Sequence, residues 1–200
     1  MITNPSKKDE VYLENVSKIG SSTENIQYME NILSAEDHSK LISYARTSNS
    51  WKLQPWLVVT IESQDLPEDI RAILNNIFEL VYKKSIELYG VGINNFSKSA
   101  LHLVKFVKGF YLWPHVDTLS AEGNHIASIY YINDDYSGGE INFPDHKLKI
   151  KPKANSLIIF PGNENYLHEV LEIVDGDRYS SAMWFQFTGS TFNKKSEWYN

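Results

Sequence analysis

A histidine and an aspartate two positions apart follow an apolar, strand-like segment in the second half of the chain. His115 and Asp117 form His-x-Asp after LVKFVKGFYLWP, and in an extended chain residues i and i+2 point to the same side. His168 lies in another strand-like segment, YLHEVLEIV. Two imidazoles and one carboxylate can occupy one face of an octahedral ion and leave three positions open. We therefore predict a metal site formed by His115, Asp117 and His168.

An arginine at the start of RYSSAMWFQF provides a second chemical signal. Hairpin geometry predicts that Arg178 lies on the strand next to that of His168 and points into the same cavity. A buried arginine needs an anionic partner, and its planar guanidinium matches a carboxylate through two parallel hydrogen bonds. The partner is either an anionic ligand or an internal acidic residue, for which Glu169 and Asp177 are the candidates.

The first half of the chain contains the elements that would support these residues. Ser34 precedes a segment with helical spacing of apolar residues, which predicts a capped helix over residues 35–47. Apolar residues recur at the same spacing over residues 68–88 and predict a longer helix. Residues 55–63, PWLVVTIES, are rich in β-branched side chains and predict a strand.

After residue 100 the chain changes to short aromatic and β-branched runs broken by turn signals, such as Ser137-Gly138-Gly139 and Pro161-Gly162-Asn163. Short strands at regular spacing are typical of a barrel or a jelly roll. We predict an α+β, mainly β, fold in which N-terminal helices support a jelly roll. The chain is interpreted as one domain over residues 1–200, with helical support at about 26–100 and the jelly-roll core at about 101–187.

Composition and charge narrow the classes of partner. The net charge is −6 and the lysines are scattered, which argues against a nucleic-acid interface. In the densest basic run, KLKIKPK, alternation predicts that Lys147, Lys149 and Lys151 face solvent on one side of a strand. The absence of cysteine excludes disulfides and thiolate metal sites and favours a cytoplasmic location. The sequence shows neither a signal peptide nor an apolar run that would span a membrane.

Several stretches of the second half resemble the prolyl 4-hydroxylase-like branch of the 2-oxoglutarate/Fe(II)-dependent oxygenase superfamily, from about Leu101 to Phe187. The matching stretches are F-V-K-G followed by His-x-Asp, then ASIYYINDDYSGGEINFP, NSLIIFPGNENYLHEV and GDRYSSAMWFQF. The run Y-x-N-D…GGE-x-x-F-P is specific within this family. The resemblance implies a double-stranded β-helix that binds Fe(II), with 2-oxoglutarate and O₂ as cosubstrates and ascorbate as reductant.

Site residues follow from the resemblance position by position. His115, Asp117 and His168 match the iron ligands, and Arg178 matches the residue that binds the distal carboxylate of 2-oxoglutarate. Tyr131 matches a tyrosine whose hydroxyl assists that carboxylate. Trp184 matches an aromatic residue of the same pocket, and its parity with Arg178 places it on the same strand face. Ser180 shares that face and is predicted to add a hydrogen bond.

One position departs from the family pattern. The family often has tyrosine where this chain has Phe106, and phenylalanine cannot donate a hydrogen bond to the cosubstrate. Tyr111 has the same parity as His115, so it is predicted to face the cavity and compensate. Trp113, also of this parity, is predicted to line the entrance, so Tyr111 and Trp113 are candidate substrate residues. The remaining histidines are predicted to have no catalytic role: His38, His102, His125 and His146.

The resemblance implies hydroxylation of an unactivated C–H bond with release of succinate and CO₂, and a prolyl residue of a peptide or protein is the leading substrate. One alternative is a jelly-roll module that binds metal or ligand without turnover. Others are oxygenases acting on a free amino acid, a lysyl residue or another small molecule. A zinc- or manganese-dependent cupin is disfavoured because the chain lacks the additional Glu and His at that family's spacing. The oligomeric state does not follow from the sequence.

Overall fold

The computed structural model describes residues 21–54, 58–89, 96–98, 101–117 and 126–187. Within these ranges the α-helices are α1 (Ala35–Thr47) and α2 (Glu68–Tyr89). The strands of the first hundred residues are β1 (Gln27–Glu30), β2 (Lys52–Leu53), β3 (Val59–Glu62) and β4 (Phe96–Lys98). Those that follow are β5 (His102–Phe106), β6 (Leu112–His115), β7 (Ile126–Tyr131), β8 (Ser137–Gly138), β9 (Ile141–Phe143), β10 (Leu148–Ile150), β11 (Ser156–Pro161), β12 (His168–Val170), β13 (Ile173–Asp175) and β14 (Arg178–Phe187).

Both predicted helices are present. The side chain of Ser34 accepts a hydrogen bond from the backbone nitrogen of Asp37 at 3.1 Å, which satisfies one free donor at the start of α1. The apolar stripe of α2 is buried, as its 3.6-residue spacing predicted. Its members include Ile70, Ile73, Leu74, Ile77, Phe78 and Val81.

The strands form two main antiparallel sheets. The larger, or major, sheet has the order β1-β11-β7-β14-β5-β3-β2, and β4 also pairs with β14. The smaller, or minor, sheet has the order β10-β9-β12-β6, and β8 and β13 pair separately. The arrangement is a double-stranded β-helix with helices on one side, which confirms the predicted fold class.

Alternation along the major sheet divides its side chains between two faces. On β14, Met183 and Phe185 belong to the large apolar cluster that includes the stripe of α2. The ring of Phe185 stacks on Phe78 of α2 with centroids 4.5 Å apart. The intervening residues of β14 line a cavity between the sheets. The helices therefore cover the outer face of the sheet, and the inner face is left to form a site.

The first half of the chain contains more β-strands than the one predicted from the sequence. The strand predicted over residues 55–63 is β3 at Val59–Glu62, and residues 55–57 lie outside the described residues. Strands β1, β2 and β3 extend the major sheet at its two edges. Lys147, Lys149 and Lys151 are exposed, as predicted. No helix within the described ranges is long and apolar enough to cross a bilayer.

Candidate metal centre

The three predicted metal ligands lie together although they come from distant parts of the chain. His115 ends β6, Asp117 follows it, and His168 begins β12. The ladder between β6 and β12 pairs His168 with His115, which brings the two imidazole centroids to 4.3 Å. Asp117 Oδ1 lies 3.9 Å from His115 Nε2, and Asp117 Oδ2 lies 3.9 Å from His168 Nε2. All three ligand atoms lie within 4.8 Å of one another.

Backbone carbonyls fix the orientation of both imidazoles. The Nδ1 atom of His115 lies 2.7 Å from the carbonyl oxygen of Trp113, and that of His168 lies 3.0 Å from the carbonyl oxygen of Tyr166. Since a carbonyl can only accept, each Nδ1 carries the proton and each Nε2 presents its lone pair toward Asp117. Burial lowers the pKa of His168, although the nearby Asp117 carboxylate opposes that effect. The arrangement therefore holds a neutral imidazole, the form that binds a metal.

A β-bulge in β6 overturns the predicted parity of Tyr111 and Trp113. His168 pairs with His115 and Val170 pairs with Leu112, so three steps on β6 oppose two on β12. The additional residue turns Leu112 and His115 toward the cavity and leaves Trp113 outside. Trp113 is 73% exposed and Tyr111 is 45% exposed, and they contact each other edge to face at 5.1 Å. Neither lines the cavity, so Tyr111 does not compensate there for Phe106.

Arg178 lies buried in the same cavity, with 2% of its surface exposed. Its Nη1 donates to the carbonyl oxygen of Gly139 at 3.1 Å, and its guanidinium carbon lies 4.5 Å from the ring centroid of Phe106. The Nε atom is buried without a hydrogen-bond partner. Within the described part of the chain no carboxylate forms an ion pair with Arg178, so the internal partners considered from the sequence, Glu169 and Asp177, are not used.

Two tyrosine hydroxyls beside Arg178 are also buried without a partner. They belong to Tyr131 and Tyr136, and the centroid of the Tyr131 ring lies 5.4 Å from the guanidinium carbon. Burial raises the pKa of Tyr131 to about 12 although the Arg178 charge lowers it, and burial also raises the pKa of Tyr136. Both hydroxyls therefore stay protonated and can donate. Each unpaired buried donor costs about 1–3 kcal/mol, so three together indicate a site for an anion.

The strand that carries Arg178 belongs to the major sheet, whereas His168 belongs to the minor sheet. The predicted hairpin neighbourhood is therefore wrong, because β13 pairs with β8 and takes the chain from one sheet to the other. The prediction that the Arg178 side chain points into the same cavity as His168 is correct. Arg178, Ser180 and Trp184 face the metal ligands across a cavity of about 500 Å³.

Two residues without a predicted role also contribute to this region. Tyr136 follows the NDD turn, and no spacing rule in the sequence distinguishes it from an ordinary turn residue. His102 lines the cavity, and its ring stacks on Trp184 with centroids 5.9 Å apart. His102 lies on β5, which pairs with β14, and the sequence alone does not predict that pairing. His125 lies outside the described residues.

The donor set fits a metal with a chelating organic acid. Two imidazoles and a carboxylate suit Fe(II) and leave coordination positions open. The unpaired guanidinium Nε and tyrosine hydroxyls match the distal carboxylate of 2-oxoglutarate, which accepts several hydrogen bonds. His115, Asp117, His168 and Arg178 line one cavity, and the ring of Tyr131 packs against Arg178.

Comparisons with known proteins agree with this geometry. Residues 101–186 match the family model of the 2OG-Fe(II) oxygenase superfamily. No curated protein is similar in sequence to this chain at a significant level.

Solved structures of similar fold include several prolyl hydroxylases. One is the viral collagen prolyl hydroxylase of Paramecium Bursaria Chlorella virus-1, as its 2OG complex, with 17% identity and a TM-score of 0.63 over 83% of this chain and 97% of that chain. The prolyl hydroxylase from Trichoplax adhaerens, in complex with a peptide fragment of the hypoxia inducible factor oxygen degradation domain, has 15% identity and a TM-score of 0.67 over 90% of each chain. A Pseudomonas putida prolyl-4-hydroxylase has 18% identity and a TM-score of 0.66 over 88% and 98%.

At these identities the solved structures establish the fold. The similarity to the superfamily rests on the match over residues 101–186, which contains His115, Asp117, His168 and Arg178. This part of the chain therefore resembles the 2OG-Fe(II) oxygenase superfamily, and the chain has the fold of the prolyl hydroxylases compared above.

Proposed function

We propose that this protein is a dioxygenase that hydroxylates an unactivated C–H bond, with a prolyl residue of a peptide or protein as the leading substrate. The observation that carries the proposal is the shared cavity of His115, Asp117, His168 and Arg178. A chelating dicarboxylate requires two attachments, a metal site and a cationic group at a distance from it. Arg178 offers the second, because its guanidinium is buried, has a free Nε and forms no ion pair with a carboxylate among the described residues.

Each residue has a separate role in this proposal. His115, Asp117 and His168 hold Fe(II) and leave its other positions open. Arg178 binds the distal carboxylate of 2-oxoglutarate and sets the orientation of that molecule. The hydroxyl groups of Tyr131 and Tyr136 donate to the same carboxylate because they are protonated and lack another partner.

The remaining inner face of β14 shapes the site. Ser180 offers a hydroxyl between Arg178 and Trp184, and the apolar walls exclude water. When bound, Fe(II) with 2-oxoglutarate and O₂ supplies the oxidation of a C–H bond to C–OH, with release of succinate and CO₂. No acid–base side chain is assigned, since the oxidation itself belongs to the metal and its cosubstrates.

The exposed pair Tyr111 and Trp113 supports a peptide substrate. Trp113 lies on the strand that ends in His115 and Tyr111 directly precedes that strand. Both rings are exposed, and together they form an aromatic surface. Aromatic surfaces bind proline-rich chains in the polyproline II conformation, which is already ordered before binding. The three solved structures compared above are prolyl hydroxylases, and one of them was solved with a peptide fragment. Free amino acids, lysyl residues and other small molecules are the competing substrates.

The test is a succinate assay with a binding control. Purified protein is incubated with Fe(II), ascorbate, O₂ and 2-oxoglutarate, with and without a proline-rich peptide, and His168→Ala serves as the inactive variant. In parallel, Mn(II) and 2-oxoglutarate binding are measured without oxygen by calorimetry. We expect metal-dependent succinate that the peptide stimulates and that His168→Ala abolishes.

The other outcomes separate the alternatives. Succinate stimulated by a free amino acid, but not by any peptide, would replace the prolyl substrate while keeping the class of reaction. Binding of metal and 2-oxoglutarate without turnover on panels of peptides and amino acids would favour a binding module. If folded protein binds neither Mn(II) nor 2-oxoglutarate, the oxygenase proposal is wrong.

The proposal takes residues 1–200 as one functional unit, with helical support at about 26–100 and the jelly roll at about 101–187. Packing of α2 against the major sheet supports this division. The cytoplasm is the proposed compartment, because a chain with no cysteine needs no oxidising environment for disulfides.

A further inference from the structure

The cavity has a second polar wall, formed by β3 and the residue that follows β2. Gln54, Thr60 and Glu62 all line it. Gln54 Nε2 donates to Thr60 Oγ1 at 2.7 Å, and Thr60 Oγ1 donates in turn to Glu62 Oε1 at 2.7 Å. Thr60 is only 4% exposed, so this chain of bonds is held within the structure. It fixes one carboxylate oxygen of Glu62 and leaves the other available to a ligand.

The strand register places this wall at the opposite end of the cavity from Arg178. On β5, Phe106 pairs with Arg178 and His102 pairs with Glu62. Four residues of an extended strand separate these two levels, which corresponds to about 14 Å. A ligand held at Arg178 therefore leaves the Glu62 end free for a different molecule.

Glu62 is a carboxylate without a cation. Among the described residues no lysine, arginine or histidine lies within ion-pair distance of it, whereas nearby Asp65 pairs with Lys52 at 2.7 Å. A partly buried charge is costly unless it is paired. When Fe(II) and 2-oxoglutarate are bound, the positive charges of Fe(II) and Arg178 would balance the negative charges of 2-oxoglutarate and Asp117. Glu62 would then remain as the uncompensated charge of the loaded cavity.

We propose that the substrate carries a cationic group, an ammonium or guanidinium, that donates hydrogen bonds to Glu62. The inference rests on the proposed function and specifies the substrate class for the same site. The cation has two possible sources: a basic side chain next to the target residue of a peptide, or the amine of a free amino acid. In both cases Glu62 is a specificity-determining residue that holds the substrate at a distance from the oxidised carbon.

The experiment compares probes that differ in charge. Protein loaded with Mn(II) and 2-oxoglutarate is titrated without oxygen, and binding is measured by calorimetry or NMR. The probe pairs are n-butylammonium with 1-butanol, acetyl-Lys-Pro-Gly-amide with its norleucine counterpart, and L-proline with N-acetyl-L-proline. Glu62→Gln removes the charge but keeps an acceptor for Thr60. Glu172→Gln removes an exposed carboxylate and is the matched control.

We expect the cationic member of at least one pair to bind about tenfold more tightly or better, as charge-assisted hydrogen bonds do. The preference should persist in Glu172→Gln and fall to within about twofold in Glu62→Gln. The pair with the larger preference identifies the source of the cation.

Equal binding of charged and neutral probes by the unaltered protein overturns the inference, and that comparison does not depend on the folding of any variant. A preference that persists in Glu62→Gln overturns it as well. The proposed function is judged separately by the affinity for Mn(II) and 2-oxoglutarate. If both bind and no cation preference exists, only this inference fails. If neither binds, the proposed function fails too.

Discussion

The two faces of the major sheet are formed by the same strands but differ in whether their buried polar atoms have hydrogen-bond partners. On the outer face, Phe185 and Met183 pack into the apolar cluster with α2, and the buried Tyr130 hydroxyl finds a partner in Asn155 at 2.9 Å. On the inner face, the Nε atom of Arg178 and the hydroxyl of Tyr131 are buried without hydrogen-bond partners. The buried polar atoms named on the outer face are hydrogen-bonded within the protein, so that face contributes to folding stability. Those named on the inner face lack partners within the protein, so that face is suited to binding a ligand.

The largest expected effect concerns folding and belongs to the outer face. Phe185→Ala should lower the free energy of unfolding by about 3–5 kcal/mol, because it removes a fully buried ring that stacks on Phe78. Trp184→Ala, one position away but on the inner face, should cost less than half as much, since that ring is only partly buried. Chemical denaturation of both variants measures the difference. Equal losses would mean that the inner face is as important for stability as the outer one.

The second effect concerns the metal and belongs to the inner face. His168→Ala should weaken Mn(II) binding more than about 100-fold, since even a residue that only orients a ligand typically contributes 10- to 100-fold. His38→Ala is the matched control, because His38 lies on α1 and hydrogen-bonds the carbonyl oxygen of Ile132. Calorimetric titration should show no change in the control. Similar affinities of the two variants would show that the triad does not bind the ion.

The third effect concerns the anion. Arg178→Met should weaken 2-oxoglutarate binding about 30-fold, or about 2 kcal/mol, at unchanged Mn(II) affinity. Stability should not fall, because the change removes a buried charge that lacks an ionic partner. Arg46→Met, which removes an exposed ion pair with Asp135, should leave 2-oxoglutarate binding intact. A large loss of stability in Arg178→Met with unaltered affinity would assign Arg178 a structural role instead.

The smallest effect separates two buried tyrosines. Tyr136→Phe should weaken 2-oxoglutarate binding about fivefold, or about 1 kcal/mol, and leave stability equal or slightly raised. Tyr130→Phe should do the reverse, since its hydroxyl already bonds Asn155 and takes no part in the cavity. Melting temperatures and cosubstrate titrations of both variants test the contrast. If both variants lose only stability, the orphan hydroxyl of Tyr136 is not a ligand donor.

Periodicity accounts for what the sequence could predict. The 3.6-residue spacing gave both helices, and the Ser34 cap is present. Two-residue spacing correctly placed Arg178, Ser180 and Trp184 on one face, because β14 continues without interruption for ten residues. The candidate metal ligands were predicted from residue type, and the strand pairing brings His115 and His168 together.

Features that depend on a break in periodicity or on strand order could not be predicted. The prediction that Tyr111 and Trp113 face the cavity was wrong because a bulge in β6 breaks the two-residue alternation. The residues of β6 do not reveal that bulge in the sequence. The wall at Glu62 required β3 to lie two strands from β14, which no local pattern encodes. Tyr136 lies in a turn, where no alternation indicates which side chain points inward.

The bulge in β6 also predicts which kinds of mutation this protein tolerates over evolutionary time. One additional residue between Leu112 and His115 decides that an imidazole, and not an indole, faces the cavity. Substitutions at the exposed Trp113 leave that count unchanged, and deletion of one residue there would remove the bulge and leave Leu112 and His115 two positions apart, where regular alternation still points both toward the cavity. Homologues that keep the three candidate ligands are therefore expected to vary in residue type at this bulge and to include chains that are one residue shorter there.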